Sequence, residues 1–134
     1  MKILDKLIKE NCPWTVIVIA VMWIIGACAE LYMGCFYLFN NIVYDSSMAV
    51  QPISFQSYGI VMIIIAFANL LLALLTLRGV KAIFCILVVL YIWNLIKAFI
   101  AVNAPGFFIA IILLCFLFHS ATRTYFGIGQ KKTK

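Results

Sequence analysis

Four long runs of apolar residues alternate with short polar or basic segments, and they cover Trp14–Phe39, 58–77, 82–102 and 105–122. A helix that crosses a hydrocarbon core of about 30 Å needs about 20 apolar residues. The pattern therefore predicts four transmembrane helices, the last of which reaches this length only if Ala121 and Thr122 extend it. The connections at 78–81 and 103–106 have the Gly, Pro and Asn of tight turns, so the last three spans should be antiparallel neighbours.

We therefore predict an all-α polytopic membrane protein, a four-transmembrane-helix antiparallel bundle that forms one membrane domain over residues 1–134. Residues 1–12 predict a short amphipathic helix on the cytoplasmic surface, because the apolar side chains share one helical face: Ile3, Leu4, Leu7 and Ile8. Residues 40–57 are too apolar for a solvated linker and predict a lid on the outer surface. Residues 123–134 form a basic cytoplasmic tail.

The start of the first span has an alternative interpretation. A basic segment, an apolar run and the small residues at 26–29 resemble a secretory signal peptide with its cleavage site, or a bacterial lipoprotein box. In this chain the apolar run continues well past Ala29. We therefore expect an uncleaved transmembrane helix.

Composition excludes a water-soluble globule. The chain is 67% hydrophobic and only 10% charged, whereas a soluble domain is about half apolar and a quarter charged. Nine of its ten Lys and Arg residues lie before the first span, between the second and third, or after the fourth. Basic residues accumulate on the cytoplasmic side of a membrane, so both termini should be cytoplasmic.

The same charges bear on location and partners. We expect the plasma membrane or a bacterial inner membrane, with the endoplasmic reticulum as the alternative because Lys-Lys-Thr-Lys at 131–134 resembles a retrieval signal. The basic tail can contact anionic lipid headgroups. Nucleic-acid binding is a poor interpretation of the net charge of +6, since the basic residues flank the spans without interleaved aromatics.

Two charged residues fall inside the predicted spans, Glu30 in the first and Lys97 in the third. A charge at the centre of a lipid-facing helix costs about 2.5–3.5 kcal/mol, so such residues usually face a partner or a cavity. Both should lie about 8–10 Å below the outer interface, which favours an ion pair. Alternatively, Lys97 reaches the outer headgroups on its long stem, and Glu30 is protonated and hydrogen-bonded to Tyr37, Asn94 or Asn69.

Polar and small residues form stripes at helical spacing on three spans. Six residues of these stripes are candidates for binding a ligand or an ion, or for forming a polar network within the membrane: Glu30, Lys97, Asn94, Asn69, Tyr91 and Tyr37. Small residues let membrane helices approach closely, and Asn and Tyr hydrogen-bond across the contact. The simpler interpretation is therefore that the stripes are packing faces.

Motifs for catalysis, cofactors and metals are missing from the sequence. Glu30 is the only acid in the spans, so no carboxylate pair exists there, and His119 is the only histidine. The five Cys residues form no Cys-x-x-Cys motif. Cys12, beside the predicted membrane surface, is either an unmodified thiol or an acylation site. We expect no enzyme, no catalytic residue, no cofactor and no metal site.

Two classes of function fit these observations. The first is an interaction or scaffold protein, or an accessory subunit, whose partners are membrane lipids and either further copies of the chain or a larger membrane complex. The alternative is a small transporter or channel with an outward-facing polar cavity around Glu30 and Lys97. Four helices enclose little volume, so a transporter would need an oligomer.

Overall fold

A computed structural model describes residues 11–39 and 55–129 of the protein. The described residues form five helices, α1 (Trp14–Phe39), α2 (Phe55–Leu77), α3 (Lys81–Ile100), α4 (Ala104–Phe118) and α5 (Ser120–Tyr125). Helix accounts for 86% of this part of the chain, which contains no β-strand. The predicted all-α class is therefore confirmed.

Three of the helices, α1, α2 and α3, are long and apolar enough to cross a membrane. These three helices confirm the prediction of a multi-pass membrane protein. Helix α4 has 15 residues and a length of about 22 Å, which is shorter than a typical hydrocarbon core. The four-helix bundle stays a prediction. The predicted surface helix and outer lid fall mainly on residues 1–10 and 40–54, outside the described residues.

The fourth apolar run departs from the predicted single helix over 105–122. Helix α4 ends at Phe118, His119 has an extended backbone with ψ of 141°, and α5 begins at Ser120. At this break, side chains supply hydrogen-bond partners for backbone groups. The His119 ring accepts from the Ala121 N–H at 3.3 Å, and the Thr122 hydroxyl donates to the Phe116 carbonyl at 2.8 Å. Both contacts supply partners that a helix end otherwise lacks.

Two short turns join α2 to α3 and α3 to α4. In the first, Gly79 has φ of +65°, the left-handed conformation that commonly ends a helix. A Cβ atom at Gly79 would also lie 2.9 Å from the Tyr125 ring. In the second turn, Val102 has φ of +52°, which is rare for a β-branched residue. The side-chain oxygen of Asn103 then caps α4, because it accepts a hydrogen bond from the Gly106 N–H at 3.2 Å.

The described residues form two compact units, the terminal unit (residues 11–21 and 72–129) and the central unit (residues 22–39 and 55–71). In the terminal unit, α3 and α4 pack along each other, and Leu87 and Leu117 are fully buried. The short helix α5 brings Phe126 against Phe84, with ring centroids 5.7 Å apart. The break at His119 thus lets residues 120–126 fold back onto α3.

Two glycines set the contact between α1 and α2 in the central unit. A Cβ atom at Gly59 would lie 2.8 Å from the Gly34 carbonyl oxygen, and one at Gly34 would lie 2.8 Å from the Ile63 side chain. The helices therefore approach backbone to backbone, as small residues allow in membranes. At Gly26 a Cβ atom would have nothing within 4 Å.

We predict that Gly59→Ala lowers the free energy of unfolding by about 1–3 kcal/mol, because the new methyl group meets rigid backbone and forces the helices apart. Gly26→Ala is the matched control, and it should be neutral or stabilising by up to about 1 kcal/mol through helix propensity. Denaturant titration in mixed micelles measures both changes. Equal stability of the two variants would contradict the close approach.

Candidate intramembrane polar sites

Glu30 has its hydrogen-bond partner on the neighbouring helix. The Asn69 Nδ2 atom of α2 donates to the Glu30 Oε2 atom of α1 at 2.6 Å. Both side chains are half-buried. A distance of 2.6 Å is short for an N–H···O hydrogen bond. Asn69 is one of the three alternative partners predicted for Glu30 from the sequence, the others being Tyr37 and Asn94.

The packing of α1 on α2 places these two groups. Moving along α1 from Tyr37 to Gly34 to Glu30, the contacts on α2 move from Tyr58 to Gly59 to Asn69. The helices are therefore antiparallel at this contact. The Tyr37 and Tyr58 rings meet edge to face with centroids 5.2 Å apart, the arrangement that aromatic quadrupoles prefer.

A cavity of about 440 Å³ lies between α3 and α4 in the terminal unit. Its polar lining consists of Tyr91, Asn94, Lys97 and Asn103. Its apolar lining consists of small residues and two larger ones: Ala98, Ala101, Gly106, Ala110, Ile109 and Leu113. Tyr91 is buried, whereas Asn94 and Lys97 are exposed. Polar lining residues occur along the length of the cavity, from Asn103 at the α3–α4 turn to Tyr91 on α3, and Ile109 and Leu113 provide apolar wall on α4.

The candidate residues therefore fall into two groups. Glu30, Asn69 and Tyr37 belong to the α1–α2 contact of the central unit, and Tyr91, Asn94 and Lys97 line the cavity of the terminal unit. The pairing of Glu30 with Lys97 stays a prediction. Sequence reasoning assigned Asn103 only to a turn, although an Asn before Ala-Pro is a recognisable N-cap signal.

A third polar cluster, which sequence reasoning missed, joins the start of α1 to α5 in the terminal unit. The Thr15 and Thr122 hydroxyl oxygens lie 2.6 Å apart, and both residues are fully buried. Because Thr122 donates to the Phe116 carbonyl, Thr15 must donate to Thr122. The Tyr125 hydroxyl donates to the Leu77 carbonyl. The cluster satisfies polar groups on four helices.

Cys12 lies beside this cluster. Burial raises the pKa of the Cys12 thiol, and a hydrogen bond with Tyr125 lowers it by a smaller amount. The thiol therefore stays protonated at neutral pH, and a protonated thiol is a poor nucleophile. This disfavours acylation of Cys12. All five cysteines are free thiols, and in residues 11–39 and 55–129 no three His, Cys, Asp or Glu side chains come together as a metal site.

We predict that Glu30→Gln keeps the fold, because the amide oxygen of Gln can still accept from Asn69. Glu30→Leu should lower the free energy of unfolding by about 1–2 kcal/mol, since it leaves the Asn69 amide without its acceptor. Adding Asn69→Leu to Glu30→Leu should recover most of this loss, because both polar groups are then gone. Unfolding in mixed micelles measures the cycle. Additive effects of the two Leu substitutions would show that the hydrogen bond contributes nothing.

Comparison of the chain with protein-family models, with curated proteins and with solved structures found no match. What the protein does must therefore be inferred from its own polar groups, from its cavity and from the surface that its helices expose.

Proposed function

We propose that this protein is a small multi-pass membrane protein that acts as an interaction or accessory subunit, as a homo-oligomer or within a larger membrane complex. The observation that carries the proposal is the 2.6 Å hydrogen bond between Glu30 and Asn69. This hydrogen bond engages Glu30, the acidic residue of the described spans, in the contact between the closely packed helices α1 and α2. A transport carboxylate would instead have to be open to its cation.

The exposed surface of the spans supports an interaction role. Tyr32 is 71% exposed on α1 and Trp93 is 58% exposed on α3. Side chains of this kind combine a large apolar area with a polar atom, and they are enriched where proteins meet each other or the membrane surface. A second helix packed on such a face would satisfy the polar atom and bury the ring.

The proposal includes a topology in which α4 is a fourth span and both termini are cytoplasmic. The Tyr125 hydroxyl binds the Leu77 carbonyl, so α5 lies at the α2–α3 turn. Three exposed basic residues, Arg78, Lys81 and Arg123, flank this region. The opposite turn, 101–103, carries no Lys or Arg. This asymmetry supports a cytoplasmic location for the basic end, in the plasma membrane or bacterial inner membrane.

A transporter or channel is the second candidate, and the α3–α4 cavity favours it. Lys97, Asn94 and Tyr91 line a space of about 440 Å³, which is within the range of small-molecule sites. The permanent charge of Lys97 would repel a cation and attract an anion.

Two measurements test the proposal. Extraction of the full chain from its source membrane into polymer nanodiscs should give particles whose protein mass exceeds the 15.1 kDa of one chain, because an accessory subunit is bound to a partner or to further copies. Liposomes that contain the purified protein should remain impermeable to monovalent cations, chloride and lipophilic amines.

Glu30→Gln provides the matched control for both measurements, since it removes the carboxylate while preserving the acceptor for Asn69. If the protein is an accessory subunit, we expect Glu30→Gln and the wild type to give nanodisc particles of the same protein mass. Two results would overturn the proposal and favour transport. One is a single 15.1 kDa chain in the native nanodiscs. The other is ion flux through the wild type that is absent from a correctly folded Glu30→Gln variant.

A further inference from the structure

We propose that the α3–α4 cavity binds a single anionic phospholipid, with the lipid phosphate beside Lys97 and the acyl chains leaving along the apolar residues of α4. The site is independent of the accessory-subunit role. It would explain how an exposed ammonium group is tolerated within a helix that is otherwise apolar enough to cross a membrane.

Charge points to an anionic occupant. The residues that line the cavity include one cation, Lys97, and no Asp or Glu. An ammonium group on a membrane span is costly until an anion or water reaches it. Lys is a common point-charge ligand for phosphate, and lipid phosphates are the anions that surround a membrane protein. A zwitterionic headgroup would bring its own cation next to Lys97, so lipids with net negative charge should bind better.

Two side-chain amides add hydrogen-bond donors at the same end of the cavity. The Asn103 side-chain carbonyl already accepts from the Gly106 N–H, so its NH₂ group is the part that can donate to a ligand. Asn94 also lines the cavity and lies one helical turn before Lys97 on α3. A phosphate oxygen accepts hydrogen bonds from such donors while the ammonium group neutralises its charge.

The shape suits an amphiphile. Small side chains on both helices make room for a headgroup, namely Ala98 and Ala101 on one side and Gly106 and Ala110 on the other. Ile109 and Leu113 continue the lining as apolar wall. A purely polar anion would leave this wall in contact with water, whereas a phospholipid covers it with its glycerol and upper chain carbons.

The competing explanation is that Lys97 reaches the bulk headgroups and binds no particular lipid. Lys81 provides the matched comparison, because it is an exposed lysine at the first residue of the same helix and does not line the cavity. Bulk attraction to anionic lipid affects both lysines alike. A built site depends on Lys97 and on the space in front of Ala98.

Native mass spectrometry from detergent micelles tests the proposal, with phosphatidylglycerol and phosphatidylcholine titrated separately and together. The wild type should bind one phosphatidylglycerol saturably and prefer it over phosphatidylcholine. Lys97→Met should weaken this binding about fivefold or more, as expected for one basic residue at an anionic lipid. Ala98→Leu, which fills the cavity and keeps the charge, should weaken it similarly. Lys81→Met and Ala82→Leu, exposed positions on the same helix, should bind as the wild type does.

Each alternative has its own outcome. Equal binding of the two lipids, unsaturable binding, or equal loss in Lys97→Met and Lys81→Met would overturn the site in favour of bulk attraction. Competition by millimolar inorganic phosphate or by oleate, at the same potency as the lipid, would show that the cavity recognises a small anion or a fatty acid instead. Circular dichroism checks that each variant folds. If one of Lys97→Met and Ala98→Leu fails to fold, the comparison of the other with its control on the same helix locates the site.

Discussion

Hydrocarbon offers no hydrogen-bond partners, so each polar group that a membrane helix carries must be satisfied by the protein, by water or by a lipid headgroup. Within the described part of the chain, this constraint accounts for the positions of the polar side chains. Asn69 satisfies Glu30 between α1 and α2, and Thr15 donates to Thr122 where the start of α1 meets α5. Lys97 lines a cavity instead, and in our proposal a lipid satisfies it.

Small residues serve these arrangements in two opposite ways. In the central unit, Gly34 and Gly59 bring two backbones together until no Cβ atom fits, which positions the Glu30–Asn69 contact. In the terminal unit, Ala98 and Ala110 line a space that the neighbouring helix leaves open. The same kind of stripe in the sequence therefore corresponds to a closed contact in one unit and to a cavity in the other, depending on how the facing helix packs.

Hydropathy predicted the helices well because crossing hydrocarbon requires a fixed length of apolar chain. Helix α1 begins at Trp14, the first residue of the first apolar run, whereas α2 begins at Phe55, three residues before the predicted start. The fourth was wrong at its end, since apolar character continues past Phe118 while the break at His119 depends on the Thr122 contact with the Phe116 carbonyl. This contact spans only six residues, but a single side-chain hydrogen bond leaves no periodic signal in the sequence.

The choice of partner for Glu30 shows the same limit. Helical spacing placed Asn69 and Lys97 on polar stripes, but spacing within one helix does not determine which neighbour faces it. The Asn69 contact depends on Gly34 and Gly59, whose role becomes clear only when both backbones are in place. Asn103 could have been recognised from its capping position, whereas its place in the cavity lining follows only from the packing of α3 on α4.

The pairing of Thr15 with Thr122 also has a consequence in time. The two residues are separated by 107 positions, and a ribosome that adds about 5–20 residues per second needs roughly 5–20 s to cover that distance. Throughout this interval the start of α1 is in place without its final hydroxyl partner. The terminal unit, which contains both Thr15 and Thr122, is therefore completed last, and the membrane-insertion machinery must handle a first helix whose first turn is not yet packed.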